Sequence, residues 1–321
     1  MRGAAPLGIA LAVIALCAAG AVWLTGRGDG ADRPSPAAAA VRDPEAGVDL
    51  GGGTAPSPLA VRLRDRADPV RFSPKRKDRP RAGLLFDVGT GQVLWRRAPL
   101  RRLPMASLTK MMTALLVVER LGPRAKVPIT AEALRYQGSA VGMLPKGRRI
   151  PVRTMLHGLL LPSGNDAARA LAIRVAGSIG AFVRLMNRRA AQLGLRCTRY
   201  SSPDGYLDRG NHTCAADLAA LARAVLRRPR LAAIVRRPQA VLPFPVKGGR
   251  LYLTNNNPLL RTRYPGVTGL KTGYTDAAGL CIVATARRGP VHLGVVLLHT
   301  PDWNGQARRL LDRGFRAAAS G

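Results

Sequence analysis

The sequence predicts one α+β domain in which strands from both ends of the folded region close an antiparallel sheet around an inserted run of helices. Three observations predict it. Apolar runs joined by turn residues open the folded region near Ala82 and close it after Lys271, and the stretch between them carries helical periodicity. No internal repeat is visible that would point to a solenoid or propeller. A chain of 321 residues suits one large domain or two modest ones, and 47% apolar content excludes a wholly disordered chain.

Residues 4–25 (AAPLGIALAVIALCAAGAVWLT) carry no charge, follow Arg2 and stop at Gly26-Arg27. Residues 1–26 therefore read as a secretory signal or an N-terminal membrane anchor. Ala19-Gly20-Ala21 supplies small residues for cleavage, while the length of the run equally suits an uncleaved span. Cys17 follows Leu16 and reads as apolar filler. Residues 27–79 are dominated by Ala, Pro, Gly and Asp without sustained periodicity, and read as a flexible tether. Residues 80–321 form the folded domain.

AGLLFDV from Ala82, the turn Gly89-Thr90-Gly91 and QVLW predict two paired strands. PMASLTKMMTALLVVERLG comes next, with Met111, Met112, Leu115, Leu116 and Val118 giving a helix two apolar faces; it should be central and mostly buried, with Ser107 at its start. Residues 152–161 and 166–193 predict helices, with Gly177 and Gly180 breaking the second, and 215–227 predicts another. GLKTGYT, GLCIVATARR, the turn Gly289-Pro290 and VHLGVVLLH read as antiparallel strands, before a final helix near 305–318.

The formal charge is +33, carried by 44 arginines and only seven lysines, a bias that a GC-rich genome also writes by codon drift. The excess lies almost wholly downstream of the tether. No motif with interleaved aromatics suggests specific nucleic-acid binding. Outside a membrane, such a domain would instead meet anionic headgroups and wall polymers.

Three short motifs lie in order: Ser107-Leu108-Thr109-Lys110, Ser163-Gly164-Asn165 and Lys271-Thr272-Gly273. The first puts a hydroxyl and an ammonium one helical turn apart on one face, where a lysine can act on the serine proton. Each motif alone is weak, as a helix cap, a polar loop or a strand entry. Here the second directly follows an apolar helix and the third opens an apolar strand, and the ordered triplet is that of penicillin-binding proteins and class A β-lactamases.

PMASLTKMMTALL, LLLPSGNDAARALA and GVTGLKTGYTDAAGLCIVATA closely resemble serine D-alanyl-D-alanine carboxypeptidases, the low-mass penicillin-binding proteins, over roughly residues 80–320. The resemblance implies a β-lactamase/DD-peptidase-like fold for 80–321 and substrates that are peptidoglycan stem peptides ending in D-Ala-D-Ala, with β-lactams as acylating ligands. It implies Ser107 as nucleophile, Lys110 as its base and Ser163 as proton relay. Asn165 would hold the peptide, Lys271 and Thr272 would bind the terminal carboxylate, and Gly273 would keep the strand edge open. The backbone N–H groups of Ser107 and Tyr274 would form the oxyanion hole. No cofactor or metal is needed, and the enzyme would work outside the cytoplasm, secreted or membrane-anchored. The chain beyond Gly273 is too short for the added β domain and amphipathic anchor of many members, which assigns any membrane attachment to the N-terminal run.

A β-lactamase is the nearest competitor. Class A enzymes deacylate with a glutamate between the second and third motifs, whereas the only glutamates here are Glu45, Glu119 and Glu132. The second motif is also Ser-Gly-Asn and not Ser-Asp-Asn. Both departures favour the peptidase and a long-lived penicilloyl adduct. A non-catalytic surface protein binding wall polymers or β-lactams is a third reading, which the intact motifs oppose. His157, His212, His292 and His299 include no His-Glu-x-x-His pair; His157, on an apolar helix, and His292 and His299, bracketing a strand, read as structural. Cys197 and Cys214 flank a loop with Pro203-Asp204-Gly205 turn chemistry, and an oxidising compartment predicts a disulfide between them, worth on the order of 3 kcal/mol. Cys281 lies in an apolar strand and reads as inert.

Overall fold

The computed structural model describes residues 57–63, 68–206, 209–246 and 248–319; the expectations for residues 1–26 lie outside the described residues. The frame is a five-stranded antiparallel sheet in the order β2-β1-β9-β8-β7, from β1 (Ala82–Asp87), β2 (Val93–Arg97), β7 (Val267–Thr275), β8 (Gly279–Arg288) and β9 (Val291–Thr300). The two ends of the domain meet where β1 pairs with β9, Leu84 opposite Val296 and Leu85 opposite Val295.

These strands are near-continuous apolar runs because both faces of the sheet are covered. With a side-chain period of two, Leu84, Phe86, Cys281, Val283, Val296 and Leu298 join the core shared with the inserted helices. Leu85, Ile282, Ala284, Val295 and Leu297 join a second core under the last helix, α8 (Trp303–Ala319), with Leu310, Leu311 and Phe315.

The inserted region centres on α1 (Lys110–Arg120), where every residue from Lys110 to Val117 is buried. Around it lie α2 (Val152–Leu160), α3 (Asn165–Ala176), α4 (Ile179–Gln192) and α5 (Ala215–Leu226). Of the two glycines expected to break the long helix, only Gly177 does so. It adopts φ 78 at the end of α3, and Ser178 caps α4 by accepting from Ala181 N–H. Gly180 lies inside α4, because one left-handed residue followed by a capping serine already turns the chain by 83°.

Short elements escaped the periodicity argument: β3 (Lys126–Pro128) with β4 (Arg149–Pro151), α6 (Pro229–Val235), the hairpin of β5 (Gln239–Pro243) with β6 (Arg250–Thr254), and α7 (Pro258–Arg261). Among the described residues no single helix is long and apolar enough to cross a membrane.

Part of the stretch read as a tether is packed. Val70 and Phe72 are buried beside Trp95, whose Nε1 donates to Phe72 O at 3.0 Å. Arg223, 3% exposed, points from α5 to donate to four carbonyls, those of Leu59, Ala60, Val88 and Gly89. The segment shows no periodicity because its backbone is irregular and its carbonyls are satisfied by a side chain distant in sequence. Arg223→Met is expected to lower the unfolding free energy by about 2–4 kcal/mol, since the carbonyls lose a charged donor. Urea denaturation measures this, and an unchanged midpoint would show that the strap adds nothing.

Candidate active site

Ser107 lies in a 3-10 turn, Ala106–Thr109, that runs straight into α1, so that Ser107 and Lys110 face the same side one turn apart. Lys110 is wholly buried, and its ammonium donates to Ser107 Oγ at 2.8 Å, Asn165 Oδ1 at 2.6 Å and Asp204 O at 2.8 Å. Three donors meet three acceptors. Burial lowers the Lys110 pKa from 10.5 to about 8, while Asp204 and Asp166 act in the opposite sense.

The second motif is placed by the passage from α2 to α3. Ser163 takes a left-handed backbone conformation, φ 70, and its Oγ is buried without a hydrogen-bond partner among the described residues. Asn165 starts α3, and its Nδ2 donates to Gln137 O at 2.5 Å. Asp166 accepts from Val141 N–H at 2.9 Å and Gly142 N–H at 3.1 Å, holding the 138–142 loop over the helix start.

The third motif lies on β7, the last strand of the sheet, so one edge of its backbone is free of strand partners. That edge faces the Ser107 turn. A Cβ on Gly273 would lie 2.9 Å from Ser107 N, so only glycine allows the approach. Lys271 is buried and donates to Thr272 O at 2.7 Å; burial, and then the charge of Lys110, push it well below the usual lysine range. Thr272 is 5% exposed, whereas Tyr274 is 59% exposed with its hydroxyl donating to Asp276 at 3.0 Å.

Cys197 and Cys214 form a disulfide, and the loop they close packs on the Ser107 turn and the start of α1. Thr113 Oγ1 donates to Pro203 O at 2.6 Å, Asn211 Nδ2 to Thr109 Oγ1 at 2.9 Å, and Lys110 to Asp204 O. Gly205, φ +76, sits where a Cβ would meet Ala106 O at 2.0 Å. The sequence marked Pro203-Asp204-Gly205 as a turn and not as part of the site. Its contribution is a main-chain carbonyl, which no residue type announces. Asp166 and Asn211 were missed likewise, because their role is to hold neighbouring backbone or side chains and not to touch Ser107.

The three motifs, separated by up to 164 positions in sequence between Ser107 and Lys271, thus converge around one buried ammonium. Among the described residues, one group could resemble a metal site: Cys197, Cys214 and Asp217. The two sulfurs are bonded to each other, and Asp217 accepts from Cys197 N–H and Thr198 Oγ1, both at 2.7 Å. His157 and His292 make structural hydrogen bonds, to Arg153 O and with Thr268, respectively. The site as built offers a hydroxyl beside an amine of lowered pKa, with a second lysine on an open strand edge, an arrangement suited to covalent catalysis on a carboxylate-bearing substrate.

Gly205→Ala is expected to displace the Ala106–Ser107 turn and reduce acylation of Ser107 by roughly 100-fold, the order of cost of a 1 Å misplacement. Stopped-flow acylation with a chromogenic cephalosporin measures it, and an unchanged rate would show that the loop does not position Ser107.

Comparison with known proteins identifies the family and the fold. The Peptidase_S11 family, D-alanyl-D-alanine carboxypeptidase, matches residues 73–302. A D-alanyl-D-alanine carboxypeptidase of Bacillus subtilis is 33% identical over 73% of this chain and 62% of its own length. One from Mycobacterium tuberculosis is 35% identical over 72% of this chain and 81% of its own length. Among solved structures, a D-alanyl-D-alanine carboxypeptidase from Mycobacterium tuberculosis superposes with a TM-score of 0.71 at 32% identity, covering 78% of this chain and 96% of that one. A Streptomyces DD-transpeptidase does so with 0.71 at 29% identity, covering 77% and 100%. The α+β architecture is therefore that of the DD-peptidases, and the chain belongs to the D-alanyl-D-alanine carboxypeptidase family of serine peptidases.

Proposed function

We propose that this chain removes the terminal D-alanine from peptidoglycan stem peptides through an acyl-enzyme on Ser107. The observation that carries the reading is the 2.8 Å hydrogen bond between Lys110 Nζ and Ser107 Oγ, at a lysine whose pKa lies at about 8. Neutral Lys110 takes the hydroxyl proton as Ser107 attacks the carbonyl carbon of the D-Ala-D-Ala bond. The oxyanion develops toward the backbone N–H groups of Ser107 and Tyr274, and Lys271 with Thr272 binds the terminal carboxylate. An arriving carboxylate favours the ammonium form of Lys271, against the effects of burial and Lys110.

Ser163 Oγ, buried and without a hydrogen-bond partner among the described residues, relays to the departing D-alanine nitrogen the proton that Lys110 took from Ser107. Both side chains thereby return to their starting states, while Asn165 holds both Lys110 and the peptide. Water then hydrolyses the ester. The substrate lies along the outer edge of β7 as an added strand, which suits an extended peptide. Residues 80–321 serve as the catalytic domain, outside the cytoplasmic membrane, where the Cys197–Cys214 disulfide is stable. β-Lactams acylate the same serine. With no glutamate between Asn165 and Lys271, the adduct persists.

Intact-mass analysis after incubation with benzylpenicillin tests the reading. A stable one-to-one adduct is expected that disappears in Ser107→Ala, together with D-alanine release from a D-Ala-D-Ala peptide. Rapid penicillin turnover without an adduct would make the chain a β-lactamase, and neither labelling nor turnover by the folded protein would make it non-catalytic. The acylation rate should rise with pH through a midpoint of about 8, as Lys110 loses its proton. A rate independent of pH between about 6 and 10 would remove Lys110 from the role of base.

A further inference from the structure

Away from Ser107, α2 and α6 leave between them a half-open cavity of about 240 Å³. Leu156 and Ile234 form part of its apolar wall, and Arg153, His157, Arg230 and Arg237 also line it, Arg153 and Arg237 at exposed positions. No acidic side chain lines it. Among the described residues none of these three arginines has an ion pair, although Arg230 donates to Leu121 O at 3.0 Å.

His157 is 2% exposed, and its Nδ1 lies 2.8 Å from Arg153 O. A carbonyl only accepts, so Nδ1 carries the hydrogen and Nε2 is left as the second ring nitrogen, without a hydrogen-bond partner among the described residues. Burial above all, and then the charges of Arg153 and Arg237, disfavour protonation of this ring, against the hydrogen bond to Arg153 O. Three arginines and a histidine thus line the cavity without an acidic side chain among them, a repulsive arrangement that an anion relieves.

We propose that this cavity binds a phosphate monoester carrying an apolar substituent. Planar guanidinium forks match the oxygens of a phosphate, and a charge near −2 balances them better than the single charge of a carboxylate. Leu156 and Ile234 cover the apolar part of the ester. The site is separate from the Ser107 cleft but shares its supports. α2 leads into Ser163, and Val235 of α6 packs under Gly269 at the start of β7, where a glycine Cβ would lie 2.9 Å from Val235 Cγ2.

Titration calorimetry of the full chain with octyl phosphate, at physiological salt, tests the proposal. Saturable one-to-one binding is expected, weakened at least about tenfold in Arg153→Gln/Arg237→Gln and unchanged in Arg101→Gln/Arg261→Gln, which removes the same charge from exposed positions elsewhere. Matched thermal unfolding midpoints show that the variants fold, and Arg153→Gln alone serves if the double variant does not. Equal weakening in both double variants, no saturable binding, or equally tight binding of octanoate would each overturn it. Phosphatidic acid vesicles, against phosphatidylcholine vesicles, identify the source. Recruitment that needs Arg153 and Arg237 makes the ligand a lipid headgroup, whereas octyl phosphate binding without recruitment makes it a soluble ester; either supports the site.

Discussion

The rest of this structure is arranged around keeping the Lys110 ammonium out of water. An ammonium taken from solvent into a protein interior loses several kcal/mol of hydration, and only good hydrogen bonds make up the loss. Lys110 obtains them from its own turn and from two places distant in sequence, the start of α3 and the disulfide-closed loop. Removing any one acceptor would leave a buried charged donor without a partner, so the three segments are bound to a common geometry. The incomplete recovery of hydration is what brings the amine into a range where it can exchange protons near neutrality.

Two close backbone approaches complete that geometry. Gly273 lets the edge of β7 come up to Ser107, and Gly205 lets the loop come down on Ala106. At both positions a side chain would need space that backbone already fills. The sheet gives β7 its rigidity. Both of its faces are covered, by α1 with its neighbours on one side and α8 on the other, so the free strand edge belongs to a doubly packed layer.

The arginine excess is put to different uses in different places. Arg223 is turned inward, where its guanidinium binds the segment that precedes the domain to the β1–β2 turn. Glu119 accepts from both Arg189 and Arg228, so two cations share one carboxylate. Acidic groups are too scarce to pair the remainder, and the chain keeps a large positive charge. The α2–α6 cavity brings three of the arginines to one concave, partly apolar wall.

Much of the fold was legible in the sequence, because its signals are local. Apolar runs of strand length, helical periodicity around Met111–Val118 and the Gly289-Pro290 turn each follow from neighbouring residues alone. So do the three motifs, since side-chain chemistry is written in residue type, while the pairing of Cys197 with Cys214 followed from the oxidising compartment that the N-terminal run implied. Short elements such as β3, β4 and α7 were not legible, since three or four residues hold too little periodicity to count. The packing of Val70 and Phe72 was hidden in a stretch whose composition reads as linker. The sequence by itself determined which groups are available for chemistry and that they lie in one α+β domain. Only the tertiary structure decided that the Asp204 carbonyl is the third partner of Lys110, that Ser163 is buried without a partner among the described residues, and that three arginines share one cavity. Those outcomes depend on backbone atoms and on distances between segments far apart along the chain, and neither is encoded in the identity of any single residue.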